Sequence, residues 1–152
     1  MNEEKRRALT IILVLLIFLT LTFIWGNSLL NGKNSAEISN GFLEAVTPLL
    51  RVFGLNCYDD HWLRKLAHFG EFGALGAELC ALFALYRPMR IRLIGCCALV
   101  SLAVASIDET IQLFSDRFAS AADVFLDLAG ALTGVLLTYL IICLIVRKKS
   151  ME

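Results

Sequence analysis

Charged residues are scarce in this chain, and their signs cancel. Asp, Glu, Lys and Arg make up 18% of 152 residues, with 14 acidic against 14 basic side chains, so no net charge favours nucleic acid. Hydrophobic residues make up 58% and mean hydropathy is +0.72, both far from the values of soluble domains. The composition therefore predicts an integral membrane protein, and the length fits a single domain over residues 1–152.

Motifs of well-known enzymes and of metal or disulfide frameworks are also missing. The sequence has no HExxH, no serine nucleophile elbow and no catalytic cysteine dyad. Its five cysteines form no CxxC or Cys/His pattern, so we predict packing residues, no disulfide framework, no metal site and no cofactor. Four of the cysteines lie in apolar runs: Cys80, Cys96, Cys97 and Cys143. The fifth, Cys57, lies outside them.

Four apolar runs are long enough to cross a bilayer. They cover about residues 8–25, 65–86, 91–113 and 124–146. Each approaches the roughly 20 residues that a helix needs to cross ~30 Å of hydrocarbon. The first run is longer than a signal-peptide core and no A-x-A cleavage site follows it, so we predict a retained span. The predicted fold is an all-α membrane protein with four transmembrane helices.

The basic residues predict that both termini are cytoplasmic. Nine of the 14 fall in three groups, at residues 5–7, 87–92 and 147–149, which lie on one side of the four spans. Pro88 marks a tight turn on that side between spans two and three. The remaining five lie on the opposite, extracytoplasmic side: Lys33, Arg51, Arg64, Lys65 and Arg117.

The outer loop over residues 27–63 carries an apolar stripe. Asn34 and Glu37 form a plausible helix-capping pair before it. We predict an amphipathic extracytoplasmic helix, which serves either as a cap on the bundle or as a substrate lid. The stripe has helical spacing and consists of Ile38, Phe42, Val46, Leu49, Leu50 and Phe53.

Polar side chains occur at one depth in three of the spans. Because the spans alternate in direction, the start of span two, the end of span three and the start of span four meet in the outer third of the membrane. An ionisable group in a span costs about 2.5 to 3.5 kcal/mol near the bilayer centre, so these groups need partners. We predict that they face one another: Lys65, His68 and Glu71, then Asp108, Glu109 and Gln112, then Asp123 and Asp127.

Glycines in spans two and four predict close helix packing. Gly130 and Gly134 form a small-xxx-small face, and Gly70, Gly73 and Gly76 allow span two to approach another helix. Glu78, deeper in span two, either extends a polar path inward or pairs with an arginine of the cytoplasmic turn. We favour the arginine.

Three stretches resemble the VanZ-like membrane proteins: NSLLNGKNSAEISNGF (27–42), RKLAHFGEFGALG (64–76) and DETIQLFSDRFASAADVFLDLAGALTG (108–134). The resemblance implies four spans in a bacterial cytoplasmic membrane, and some members are linked to teicoplanin-type glycopeptide resistance. Phe72 replaces the usual tyrosine, and Asp127 replaces the usual asparagine. The resemblance also implies a polar constellation, which consists of Lys65, His68, Glu71, Asp108, Glu109, Gln112, Arg117, Ser120 and Asp123.

The leading functional hypothesis is binding of an anionic lipid-linked or lipidated ligand, such as a cell-wall intermediate or a lipoglycopeptide. Arg64, Lys65 and Arg117 would hold its phosphate or carboxylate, because arginine offers a bidentate fork. Membrane lipids are the expected partners, no nucleic acid is expected, and the sequence leaves the oligomeric state open. We assign the ligand-binding role to the implied constellation together with Asp127.

Three alternatives stay open. An intramembrane enzyme would use acid–base chemistry, with His68, Glu71, Asp108 and Glu109 as candidates, and with Ser120 as nucleophile only if His68 reaches it. A divalent metal could be held by His68 and these carboxylates, but a single histidine gives thin support, so we predict no metal. A proton-coupled transporter would use Glu71 and Glu78 as relay groups. A salt-bridge cluster that only fixes helix register is the purely structural alternative.

Overall fold

The computed structural model describes residues 2–29, 60–86, 91–114 and 120–149. These residues form four α-helices: α1 (Glu3–Leu29), α2 (Asp60–Ala84), α3 (Ile91–Leu113) and α4 (Ala121–Lys149). All four are long and apolar enough to cross a membrane, and the described ranges contain no strand. The predicted all-α membrane fold with four spans is therefore confirmed.

Two predictions lie beyond what these helices test. The apolar stripe of the outer loop, over residues 34–53, falls outside the described residues, as do Cys57 and Arg117. The cytoplasmic location of both termini stays a prediction from the basic residues.

The first helix is longer than the sequence predicted. Its apolar run was expected to end at residue 25, with the outer loop beginning at residue 27, but α1 continues to Leu29. Asn27 and Ser28 are therefore helical. Their side chains donate hydrogen bonds to carboxylates of α2 and α3, and these bonds stabilise the extra turn in the bundle.

Polar contacts along its length fix α1 antiparallel to α2. At one end, Tyr86 lies beside Thr10 with 2.7 Å between the hydroxyl oxygens, and the Arg6 guanidinium lies 5.5 Å from the centroid of the Tyr86 ring. In the middle, Thr20 donates a 3.0 Å hydrogen bond to Glu78. At the other end, Asn27 donates a 3.0 Å hydrogen bond to Glu71, so the contacts progress in opposite directions along the two helices.

Glycines bring the backbones of α2 and α4 together. A Cβ atom at Gly130 would overlap the backbone of Phe69, and one at Gly134 would overlap the backbone of Gly73. Gly76 is likewise closed in by the backbone of Ala131. The small-residue faces predicted for these helices are thus present, with one correction. Gly70 faces open space, so it contributes nothing to the close approach.

The core lies between all four helices, and many large apolar side chains cover the outside. Phe72, which stands where the resembling family usually has tyrosine, is fully buried in the core. The outward-facing apolar side chains suit contact with acyl chains rather than water. Buried apolar residues are Ile24, Phe72, Leu75, Leu79, Cys80, Leu93, Cys97, Val104, Ala105, Ala131 and Val135.

Candidate functional site

One end of the bundle holds a group of polar side chains that we call the polar cluster. It lies where α1 and α3 end and where α2 and α4 begin, so every helix contributes to it. Its described members are Asn27, Ser28, Lys65, His68, Glu71, Asp108, Glu109, Gln112, Ser120, Asp123 and Asp127.

His68 lies at the centre of the cluster between two carboxylates. Its Nδ1 atom is 3.9 Å from Oδ2 of Asp108 and 4.0 Å from Oε2 of Glu71, both too far for a hydrogen bond. Asp127 also faces this centre, because one ligand atom each from His68, Asp108 and Asp127 lies within 4.8 Å of the other two. Three helices thus bring an imidazole and two carboxylates together, with the carboxylate of Glu71 beside the imidazole.

Asp108 is the most firmly held carboxylate of the cluster. It is fully buried, and it accepts hydrogen bonds from Ser28 Oγ at 2.6 Å and from Gln112 Nε2 at 2.8 Å. Glu71 is held on one side only, where Asn27 donates to its Oε1 atom. Its Oε2 atom and the Nδ1 atom of His68 are buried and have no hydrogen-bond partner among the described residues.

The edge of the cluster contains an ion pair between α2 and α4. Nζ of Lys65 lies 2.7 Å from Oδ1 of Asp123, and both side chains keep 28% of their surface exposed. This pair is the most accessible charged part of the described cluster, since Asp108 and Asp127 are almost completely buried.

Ser120 caps the beginning of α4. Its hydroxyl oxygen accepts a 3.2 Å hydrogen bond from the Ala122 amide, as an N-cap residue does. Its own amide donates a 2.9 Å hydrogen bond to Oε2 of Glu109, which ties the end of α3 to the start of α4. In the described part of the chain, no hydrogen bond joins Ser120 to His68, so the condition for a serine nucleophile is not met.

Asn27 and Ser28 belong to the cluster although the sequence interpretation placed them in the outer loop. A signal for them was present, because they are polar residues directly after an apolar span and at the depth of the other cluster residues. Arg117, in contrast, lies outside the described residues, and only the backbone of Arg64 is described.

Glu78 lies two helical turns away from Glu71, and a threonine of α1 is its partner among the described residues. Thr20 of α1 donates a 3.0 Å hydrogen bond to its Oε1 atom. Arg87 and Arg90 of the cytoplasmic turn lie outside the described residues, so the favoured pairing of Glu78 with an arginine stays a prediction. The sequence did not predict Thr20 as the partner of Glu78, because threonine is common in membrane spans. It also gave no sign of which helix packs against α1 at this depth.

The described cluster carries an excess of negative charge. Five carboxylates stand against Lys65 and one histidine, and Lys65 already pairs with Asp123. Buried carboxylates without counter-charges are costly in a low-dielectric environment, so this arrangement attracts protons or cations to its interior. Its exposed edge offers one ammonium group to an anion. The carboxylates are Glu71, Asp108, Glu109, Asp123 and Asp127.

Comparison with known proteins identifies the family. The sequence model described as VanZ/LLP1 matches residues 8–143, a range that includes the whole polar cluster. No curated protein and no solved structure matches the chain. The family match covers most of the sequence and all four spans, and the chain therefore belongs to the VanZ/LLP1 family.

Proposed function

We propose that this VanZ/LLP1 membrane protein binds the anionic headgroup of a lipid-linked or lipidated ligand at the edge of the polar cluster. The distribution of basic residues supports placing this edge at the outer face of a bacterial cytoplasmic membrane. The observation that carries the proposal is the partly exposed ion pair of Lys65 and Asp123, which leaves an ammonium group accessible beside a buried polar interior.

Lys65 has capacity for a second anion. An ammonium group has three N–H donors, and Asp123 occupies one direction. A phosphate or carboxylate approaching from the exposed side would bind in a charge-assisted manner, worth about 1.5 to 3 kcal/mol for a well-formed contact. Arg117 precedes the cap residue Ser120 by three positions in the sequence, and we propose it as a second, bidentate contact.

Apolar surface next to this ion pair suits an acyl chain. Leu66 follows Lys65 on α2 and is 60% exposed, while Phe125 lies two residues after Asp123 on α4 and is 69% exposed. A lipidated ligand could therefore place its polar group at Lys65 and its chain along the outside of the bundle. Because Asp108 and Asp127 are almost completely buried, we place the headgroup at the edge of the cluster rather than in its interior.

The test compares two lysine substitutions in the full chain in nanodiscs. We expect Lys65→Ala to weaken binding of a fluorescent phosphatidylglycerol probe about tenfold, since one charge-assisted contact is lost. Lys148→Ala is the matched control, because Lys148 is an exposed lysine at the opposite end of the bundle. Equal affinities for both variants would contradict the proposal.

A second experiment addresses the biological ligand. In a bacterial host, equal amounts of the wild type and of Lys65→Ala are expressed, and susceptibility to a lipoglycopeptide is measured. We expect the wild type to change susceptibility and the variant to lose most of that change. A change that persists in Lys65→Ala would show that the edge of the cluster is not the site through which the chain acts.

An intramembrane enzyme is the second candidate, and the position of His68 favours it. Its Nδ1 atom has no hydrogen-bond partner among the described residues and lies between two carboxylates, as a general acid–base group would. If this candidate is correct, purified protein will turn over a lipid-linked diphosphate, and His68→Ala will abolish the turnover while Lys148→Ala will not. Turnover that survives His68→Ala would rule out this role for the histidine.

A further inference from the structure

We propose that His68, Asp108 and Asp127, together with Glu71, bind a divalent transition-metal ion inside the bundle. From the sequence we predicted no metal, because one histidine without a ligand motif gave thin support. The structure adds the missing spatial relationship. Residues from three helices, up to 59 positions apart in the chain, direct their ligand atoms to one point.

The distances suit an ion of this size after a small adjustment. In a tetrahedral site with ligand distances of about 2.1 Å, neighbouring ligand atoms are about 3.4 Å apart. Nδ1 of His68 lies 3.9 Å from Asp108 and 4.0 Å from Glu71, and the ligand atoms of His68, Asp108 and Asp127 all lie within 4.8 Å of one another. Side-chain shifts of several tenths of an ångström to about one ångström would close the site.

The proposed ligand atoms of His68 and Glu71 are buried and have no other described partner, whereas both oxygens of Asp108 already accept hydrogen bonds. Nδ1 of His68 and Oε2 of Glu71 have no hydrogen-bond partner among the described residues. Asp127 is 2% exposed, and none of the hydrogen bonds between described residues involves it. A buried carboxylate in an ordinary structural network would accept hydrogen bonds. The unpartnered atoms of His68 and Glu71 lie 4.0 Å apart, a separation that a shared ion would bridge.

The surroundings resemble the support that metal ligands receive in proteins. Ser28 and Gln112 hold Asp108 in a fixed orientation, and Asn27 holds the other oxygen of Glu71. Hydrogen bonds of this kind orient ligating carboxylates and histidines and raise metal affinity. Metal ligands bind in their deprotonated form, so three carboxylates and one imidazole would together offset the charge of a dication.

The donor set indicates which ions would bind. Imidazole nitrogen suits Zn²⁺ and other late transition metals, whereas carboxylate oxygen also suits Mn²⁺. Ca²⁺ and Mg²⁺ prefer sites made only of oxygen. One nitrogen and three carboxylates therefore favour Zn²⁺ or Mn²⁺. An ion would bind between the helices whether or not the headgroup of a lipid ligand docks at Lys65.

The test measures metal directly in the purified full chain. After incubation with Zn²⁺ or Mn²⁺ and removal of the excess, elemental analysis should give about one equivalent of metal per folded chain. Co²⁺ in place of Zn²⁺ should give visible absorption bands of a nitrogen- and oxygen-ligated ion. Wild-type protein that is folded and monodisperse, yet holds no stoichiometric metal and shows no cobalt bands, would overturn the proposal.

Two variants and a control locate the ion. Asp127→Asn keeps the shape of the side chain, and we expect it to lower metal affinity by at least about tenfold, as His68→Gln should. Glu78→Gln is the matched control, because Glu78 is a partly buried carboxylate of α2 that lies away from the cluster. The Glu78→Gln protein should bind metal as the wild type does. Unchanged affinity in Asp127→Asn, or equal losses in all three variants, would contradict the assigned ligands.

Discussion

Ser28 of α1 donates a 2.6 Å hydrogen bond to Asp108 of α3, and both side chains are fully buried. Ile24 is the only other residue of α1 that is buried. The attachment of α1 at this end of the bundle therefore depends on a small number of contacts. Ser28 and the neighbouring Asn27 thus each supply a donor to one oxygen of a cluster carboxylate, Oδ1 of Asp108 and Oε1 of Glu71.

We expect Ser28→Ala to lower the free energy of unfolding by about 1 to 2 kcal/mol, because an oxygen of Asp108 is left buried without a donor. The measurement is unfolding in mixed micelles, followed by circular dichroism. Ser106→Ala on α3 is the control. Ser106 is exposed and bonds only to the Leu102 carbonyl of its own helix, so its loss should change stability by less than about 0.5 kcal/mol. Equal stabilities of the two variants would contradict the importance of the Ser28–Asp108 bond.

The four spans and most members of the cluster could be predicted from the sequence for a simple reason. Charged residues inside apolar runs are costly, so their depth and their helical face indicate where partners must be. The alternating direction of the spans then placed His68, Asp108 and Asp127 at one height, and the structure brings them within 4.8 Å of one another.

Contacts between neutral side chains could not be predicted in the same way. Ser28 and Thr20 carry no charge, so nothing in an apolar run shows which helix they face. Their roles depend on the rotation of α1 against α2 and α3, which only the packed bundle fixes. For the same reason Gly70 was grouped with Gly73 and Gly76, although it faces away from α4.

The close contact between α2 and α4 predicts a large effect of one methyl group. In Gly134→Ala the new Cβ would overlap the Gly73 backbone, which cannot rotate away, so the helices must separate. We expect a loss of about 1 to 3 kcal/mol in the free energy of unfolding. In the control, Gly95→Ala, the new Cβ meets no atom within 4 Å, and stability should stay the same or rise slightly. A stable Gly134→Ala protein would show that the two helices are farther apart.

The ion pair at the edge of the cluster should tolerate exchange of its charges. Lys65→Asp places two acidic groups together and should destabilise the chain, whereas the double exchange with Asp123→Lys should restore part of the loss. Because both side chains are partly exposed, we expect a coupling energy of only about 0.2 to 1 kcal/mol. The coupling should shrink as NaCl is raised, since salt screens exposed charges. A double-mutant cycle at two salt concentrations measures it, and the absence of coupling at low salt would contradict the pair.

Thr20 provides the clearest test of how α1 lies against the middle of α2. Thr20→Val keeps the shape of the side chain but removes the hydroxyl that donates to Glu78, so the carboxylate loses its described partner. We expect a loss of about 1 kcal/mol in the free energy of unfolding, in the range of hydrogen bonds between membrane helices. Thr22→Val is the matched control, because Thr22 is exposed and donates to the Phe18 carbonyl of its own helix.

Combining each change with Glu78→Gln distinguishes the specific bond from a general effect of threonine. If Thr20 stabilises the bundle through Glu78, the cost of Thr20→Val will change when Glu78 becomes glutamine, because a neutral amide is a weaker acceptor than a carboxylate. The cost of Thr22→Val should not depend on residue 78, since Thr22 bonds within α1. Identical costs of Thr20→Val in both backgrounds would mean that the Thr20 hydroxyl does not bond to Glu78 and that α1 is rotated away from this carboxylate.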